Sequence, residues 1–167
     1  YRYCSRVALK HQLDWLESKQ MTMYAGIEPE FMLLKRKEGG GFAPFDDTDT
    51  LDKPCYDYKG LSRASAILDE ISTSMRAVGV DVYQIDHEDG NGQFEVNFTY
   101  ADVLKTADNF MLFKMAASEI ARKHGVIATF MPKPFSNRTG TGAHFHISMG
   151  DRKTGNLFYD KSDKRGL

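Results

Sequence analysis

The sequence predicts an α+β fold, a largely antiparallel sheet with helices packed on one of its faces. Three observations predict it. Two long stretches, residues 61–78 and the residues that follow Thr99, carry apolar side chains at three- and four-residue steps, as amphipathic helices do. Two shorter stretches, 93–98 and 143–149, alternate polar and apolar residues without a fault, the period of a strand. Between 80 and 98 the chain turns over through Asp89-Gly90-Asn91-Gly92, the residue types of a hairpin turn that needs positive φ.

Taken in order, residues 4–19 read as a helix, with Val7, Leu9, Leu13 and Leu16 toward one side and Lys10, Gln12, Asp14 and Glu17 toward the other. Residues 23–34 read as a strand. Ile27, Pro29, Phe31 and Leu33 share one face, and Glu28, Glu30, Met32 and Leu34 share the other, so its second half is expected to be buried on both sides. Glu28 and Glu30 point together from an extended chain, whereas a helix would splay them, and Pro29 is foreign to a helix interior. Residues 35–60 read as a long loop holding Gly39-Gly40-Gly41, the acidic run Asp46, Asp47 and Asp49, and Pro54. Loops of that length in a compact domain are often functional, and the acidic run suits either solvent or a cation.

The helix at 61–78 is carried by Ala64, Ile67, Leu68, Ile71, Met75 and Val78 and stopped by Gly79 as a left-handed cap. The hairpin follows, with Glu88 near its turn and Gln93, Glu95 and Asn97 on one face of its second strand. Thr99, with Asp102 three residues on, is expected to cap a helix that ends at Gly125, its core stripe being Leu104, Ala107, Met111 and Met115. Residues 126–131 form a short β-rich run stopped by Pro132-Lys133-Pro134, and 136–142 a glycine-bearing loop. The strand at 143–149 sets His144, His146 and Ser148 on one face and Ala143, Phe145, Ile147 and Met149 on the other.

Bulk properties narrow the function. A chain of 167 residues with 41% hydrophobic and 27% charged residues suits one globular domain. A net charge of −1 provides no field that would gather nucleic acid or an anionic membrane surface. No apolar run approaches the roughly 18–20 residues of a membrane span, and the first residues hold no signal-peptide core. Cys4 and Cys55 are too few for a disulfide framework or a zinc site, so a cytoplasmic setting is the expectation. The chain opens at Tyr1 without a methionine and stops in a charged stretch, and reads as a window from a longer protein.

The strands together gather Glu28, Glu30, Glu88, Gln93, Glu95, His144, His146 and Ser148 on one sheet face. Carboxylates drawn together out of water require a cation or a proton. Hard oxygens with one or two imidazoles suit Mg²⁺ or Mn²⁺, and four carboxylates exceed what one ion needs, so two ions clamping phosphate oxygens are expected. A calcium EF-hand from Asp86 is excluded, because the sixth and twelfth positions are Asn91 and Asn97. Residue types alone leave a two-metal hydrolase open.

Gly26-Ile27-Glu28-Pro29-Glu30-Phe31, then His87-Glu88 with Gly92-Gln93-Phe94-Glu95, then 129–134 (Thr-Phe-Met-Pro-Lys-Pro), then 140–148 (Gly-Thr-Gly-Ala-His-Phe-His-Ile-Ser) stand in one order and cover most of the chain. They resemble the successive signature motifs of the glutamine synthetase catalytic domain, and more narrowly its type III branch, which includes γ-glutamylmethylamide synthetases. The resemblance implies an ATP-dependent ligase that phosphorylates the γ-carboxylate of glutamate and lets ammonia or methylamine displace the phosphate. It implies Glu30, Glu88 and Glu95 as ligands of a first Mg²⁺ or Mn²⁺ ion, and Glu28 and His144 as ligands of a second, with a further glutamate beyond Leu167. It implies Gly140 as a backbone contact to glutamate, His146 and Ser148 toward the nucleotide, Tyr100 near the ribose, and Tyr56 or Tyr58 toward the amine. It also implies a homo-oligomer, a double hexamer (dodecamer) with sites shared between subunits.

On this reading residues 1–167 are part of a catalytic domain whose small N-terminal companion, glutamate-binding arginines and flap glutamate lie elsewhere, and the 167 residues alone are expected to be inactive. The chain departs from the better-known bacterial pattern at Tyr83, Asp86 and Thr139. The alternative is a non-catalytic homologue that binds nucleotide or glutamate as a regulator.

Overall fold

Buried aromatic and aliphatic residues cluster in the second half of the strand that the sequence places at 23–34, and the computed structural model, which describes residues 3–151 and 155–166, is built around that strand. The elements in order are α1 (Ser5–Ser18), β1 (Met21–Arg36), β2 (Phe42–Pro44), α2 (Tyr58–Ala77), β3 (Val82–His87), β4 (Gln93–Phe98), β5 (Ala101–Asp102), α3 (Val103–Lys123), β6 (Ile127–Thr129), β7 (Ala143–Asp151) and β8 (Gly155–Asn156). The α+β class is the expected one, and the strand pairs of known register are antiparallel. Among the described residues no helix is long and apolar enough to cross a membrane.

The chain divides into two compact units, and the larger comprises Glu28–Thr99 and Asn109–His144. Here the second half of β1 pairs with β4, in the register Glu30↔Glu95, Phe31↔Phe94 and Met32↔Gln93. β3 closes the hairpin on β4, setting Asp86 opposite Glu95 and His87 opposite Phe94. β2 and β6 pair with the end of β1. Phe31, Met32, Leu33 and Leu34 are all buried, as expected of a strand covered on both sides. Phe31 packs against Phe94, Phe113 and Phe130 with ring centroids 6.3, 5.8 and 5.7 Å away. Each such buried ring contributes roughly 1.5–3 kcal/mol relative to exposure.

The helices differ from expectation at their ends. α2 begins three residues before Leu61 because Asp57 is its N-cap, its carboxylate accepting from the Gly60 N–H at 2.7 Å. Ala64, Ile67, Leu68, Ile71 and Met75 are buried as the periodicity requires, but Val78 lies beyond the last turn and is exposed. Thr99 does not cap α3: its hydroxyl donates to Asp81 Oδ2 at 2.9 Å. A short strand intervenes and α3 starts at Val103, with Asp102 Oδ1 accepting from the Lys105 N–H at 3.0 Å.

The core stripe of α3 also moves. In this unit its buried residues are Phe113, Ala117, Ile120 and Ala121, whereas Met111 and Met115 are exposed. Each side chain turns by about 100° along a helix, so residues two positions from Phe113 lie roughly opposite it. The larger and stiffer Phe113 takes the interior, and the methionines face out.

The smaller unit comprises Tyr1–Ile27, Tyr100–Asp108 and Phe145–Leu167. The first half of β1 pairs with β5, Tyr24 opposite Asp102 and Ala25 opposite Ala101. Thr106 Oγ1 donates to the Ala25 carbonyl at 2.7 Å, and Arg6 forms a forked pair with Asp108 at 2.8 Å through Nε and Nη2. In β7 burial does not alternate: Phe145 and Ile147, on the apolar face of the sequence pattern, are exposed, as are His146 and Ser148 on the polar one. Alternation names the side of a strand that is apolar and does not itself place anything over it.

Candidate metal centre

Pairing between β1 and β4 sets Glu30 directly against Glu95, and Glu28 lies two residues earlier on the same face of β1. The hairpin brings Glu88 to the end of β3, where its N–H donates to the Gln93 carbonyl at 2.9 Å. His144 opens β7. One ligand atom each from Glu28, Glu95 and His144 falls within 4.8 Å of the others, and His144 Nδ1 stands 3.5 Å from Glu28 Oε2. Glu95, which the resemblance groups with a first ion, is thus in the company of the pair assigned to a second.

The electrostatics follow from this crowding. Burial, then the charges of Glu95, Glu30, Asp86 and Asp89, push the Glu88 carboxyl up to about 7. Burial also raises Glu95, opposed by a hydrogen bond from Asn97 and reinforced by Glu28, Glu30 and Asp86. Carboxyls raised in this way favour a proton or a cation among them.

Two carboxamides of β4 hold the carboxylates. Gln93 Nε2 donates to Glu30 Oε2 at 2.7 Å and to the Gly140 carbonyl at 3.0 Å, while its Oε1 accepts from the Gly90 N–H at 2.8 Å. Asn97 Nδ2 donates to Glu95 Oε1 at 2.9 Å. Glu30 Oε2 also accepts from the Gly142 N–H at 2.9 Å. A Cβ at Gly142 would stand 3.3 Å from Glu30 Oε1, so a glycine there allows the carboxylate to approach the backbone.

His87 faces away from this cluster. Its Nε2 meets Asp49 Oδ2 at 2.9 Å and its Nδ1 meets the Glu88 carbonyl at 2.8 Å, with the ring buried against Phe94. Asp49 further accepts from the Gly92 N–H at 2.6 Å and from Asn91 Nδ2 at 3.2 Å. The acidic run is therefore split: Asp49 is buried, Asp46 pairs with Arg63, and Asp47 pairs with Lys35 at the solvent-exposed surface. Sequence reasoning missed Asn97, the tether through Gln93 and the partner of Asp49. Gln93 and Asn97 had signalled only by sharing a face with Glu95.

The amine-side candidates separate. The Tyr56 N–H donates to the His87 carbonyl at 2.8 Å, and its exposed hydroxyl is raised by Cys55 and then by Glu88 and Asp86, which marks it as a neighbour of the acidic cluster. Tyr58 instead lines a hollow with Leu61, Leu68 and Ile85. Tyr100, His146 and Ser148 belong to the smaller unit. Tyr100 packs edge-on against Tyr24 at 6.1 Å, and a Cβ at Gly26 would lie 3.5 Å from Tyr100 Cβ and 3.8 Å from His146 Cβ. Ser148 follows His146 by two residues on the exposed part of β7.

The residues of the larger unit fit a hard divalent cation on their own chemistry. The donors are carboxylate oxygens and one imidazole, they converge, and two of the carboxyls are raised by burial and mutual repulsion. Asn97 Oδ1, buried beside Glu95, has no hydrogen-bond partner.

Residues 2–167 match the family model described as glutamine synthetase, catalytic domain. The chain is 57% identical over its whole length to the glutamate–methylamine ligase of Methyloversatilis universalis, of which it covers 37%. It is 44% identical over 97% of its length to the glutamine synthetase of Rhizobium leguminosarum bv. phaseoli, of which it again covers 37%. Among solved structures it superposes on one described as "Apo GmaS without ligand" with a TM-score of 0.91 at 42% identity, covering 100% of this chain and 39% of that one. One described as "GmaS/ADP complex-Conformation 1" gives 0.88 at 44% identity, covering 97% and 37%. The chain thus spans little more than a third of the length of these relatives. With its signature carboxylates on antiparallel neighbours β1 and β4, and with the whole described fold matched, the chain belongs to the glutamine synthetase family.

Proposed function

We propose that the protein carrying this chain is an ATP-dependent ligase that joins glutamate to an amine through a γ-glutamyl phosphate, with methylamine as the preferred amine. The observation that carries the reading is the convergence of Glu28, Glu95 and His144, with Glu30 opposite Glu95 and Glu88 raised by burial and then by the neighbouring carboxylates. Identity of 57% to a glutamate–methylamine ligase, against 44% to a glutamine synthetase, favours methylamine over ammonia. Every presumed ligand is of metal-binding type, which gives no support to a non-catalytic regulator.

In this reading Glu30, Glu88 and Glu95 hold one Mg²⁺ or Mn²⁺ ion and Glu28 and His144 a second. The ions, when bound, supply positive charge to phosphate oxygens during phosphoryl transfer between two anions. The chain's own residues do the positioning. Gly140 offers backbone to glutamate, His146, Ser148 and Tyr100 form the nucleotide side, and Tyr56 stands toward the amine. In the reaction a γ-carboxylate oxygen attacks the terminal phosphorus of ATP and ADP leaves. The amine nitrogen then attacks the acyl carbon, phosphate leaves and one amine proton is released. The whole protein is a cytoplasmic homo-oligomer, a dodecamer on the family pattern, and residues 1–167 are a part of its catalytic domain that does not turn over alone.

The test is phosphate release by the full-length protein with ATP and glutamate, methylamine or ammonia being the sole amine. Faster release at low methylamine supports the proposal, faster release at low ammonia reassigns it as a nitrogen-assimilating glutamine synthetase, and no release with either amine overturns the ligase reading.

A further inference from the structure

We infer that Gln93 is a positioning residue that sets Glu30 and the Gly140–Gly142 backbone in one fixed relation, tying a metal carboxylate to the glutamate-binding loop. The inference rests on the ligase reading above for the meaning of those two groups, but the geometry stands independently. Gln93 is fully buried, with no exposed surface. Its amide has two N–H donors and one oxygen, and all are used: Nε2 to Glu30 Oε2 and to the Gly140 carbonyl, Oε1 from the Gly90 N–H. The orientation is not interchangeable. A flipped amide would set its oxygen 2.7 and 3.0 Å from two acceptors and leave Gly90 facing an N–H.

Three segments distant in sequence meet at this one side chain: β1 through Glu30, the hairpin turn through Gly90, and the 136–142 loop through Gly140. The Glu30 backbone and carboxylate both join the same loop, the Glu30 N–H donating to the Gly142 carbonyl at 3.1 Å and Oε2 accepting from the Gly142 N–H at 2.9 Å. The bonds from Gln93 and from Gly142 both fall on Oε2, which leaves Oε1 for a cation. The residue type also matters. A lysine would neutralise the carboxylate with its own charge, and a glutamate would add a further anion to a cluster that already raises Glu88 and Glu95. A glutamine holds the carboxylate without altering the charge presented to the metal. An outer partner of this kind commonly governs metal affinity by a factor of about 10–100.

The experiment compares full-length wild type, Gln93→Met and Ile71→Val. Methionine has similar length and volume but no donors, and Ile71 is a buried residue of α2 in the same unit, set to weaken the core without touching the site. Mn²⁺ affinity is read by titration, backbone exchange at 140–142 by hydrogen–deuterium exchange, and KM for glutamate and ATP where there is turnover. Gln93→Met is expected to weaken Mn²⁺ binding about tenfold or more, to speed exchange at 140–142, and to raise KM for glutamate more than KM for ATP. Ile71→Val is expected to leave all three unchanged.

Wild-type Mn²⁺ affinity and exchange in Gln93→Met would overturn the inference, as would equal changes in Ile71→Val at the same loss of stability. If Gln93→Met does not accumulate as folded protein, Gln93→Asn, one methylene too short to span both acceptors, is read in the same way. Failure of wild type to turn over any amine overturns the proposed function alone, since Mn²⁺ affinity and exchange still decide the role of Gln93.

Discussion

His87 Nε2 and Asp49 Oδ2 lie 2.9 Å apart with both side chains buried, joining residues 38 positions apart in the chain. Asp49 thereby pins the long loop to the hairpin tip, since it also accepts from Gly92 and Asn91. Breaking a buried pair by removing one partner typically costs about 3–5 kcal/mol. Asp49→Ala is expected to lower the thermal stability of the full-length protein by an amount in that class, and Asp49→Asn, which keeps one acceptor oxygen, by less. A wild-type melting temperature for Asp49→Ala would show that the network carries no stability.

Gly60 packs under the same ring. A Cβ there would stand 2.5 Å from His87 Cδ2, and His87 has no room to retreat with its other neighbours buried. Gly60 lies in the first turn of α2, where replacement by alanine would ordinarily gain about 1 kcal/mol of helix propensity. Overpacking a tight core typically costs about 1–3 kcal/mol, so the net sign is destabilising. Gly60→Ala should melt below wild type, and a rise in melting temperature would contradict the packing described.

Glu88 has a pH signature. With its carboxyl at about 7, above its ordinary value of 4.5, the metal-free folded protein holds more protons than the unfolded chain between those values. Stability from this group is fully present below about 4.5 and is lost as pH rises through about 7. Metal binding needs the ionised form, so Mn²⁺ affinity should climb over the same interval. Glu88→Gln should flatten both dependences, which thermal melts of the metal-free protein and Mn²⁺ titrations over about one unit either side of the raised value would reveal.

His144 and Glu28 make the metal assignment directly testable. Chelation of divalent ions should abolish phosphate release by the full-length protein, and Mg²⁺ or Mn²⁺ should restore it. Glu28→Gln or His144→Ala removes a donor from the cluster that lies within 4.8 Å. Each is expected to weaken Mn²⁺ binding by about tenfold or more, the scale on which loss of supporting groups already acts. Unchanged stoichiometry and affinity in both variants would place the ion elsewhere.

Side-chain periodicity alone determined the order of the three helices and the longer strands, the two-sided burial of Phe31–Leu34, and the hairpin, because these depend on spacing along the chain, whereas the short β2, β5 and β8 carry too few residues to show a period. It also put Glu28 and Glu30 on one face, and the motifs around Glu88, Glu95 and His144 make the family legible in the sequence. Other features depend on what meets what across the fold. Tertiary packing chose Phe113 over Met111 and Met115 for the interior, left Phe145 and Ile147 uncovered, and gave Thr99 to Asp81 instead of to α3. It took Asp49 out of an acidic run and paired it with His87, and it made Gln93 the meeting point of three segments. A carboxylate reads the same in sequence whether solvent, a histidine or a cation neutralises it, and only the three-dimensional neighbourhood, through burial and distance, decides which.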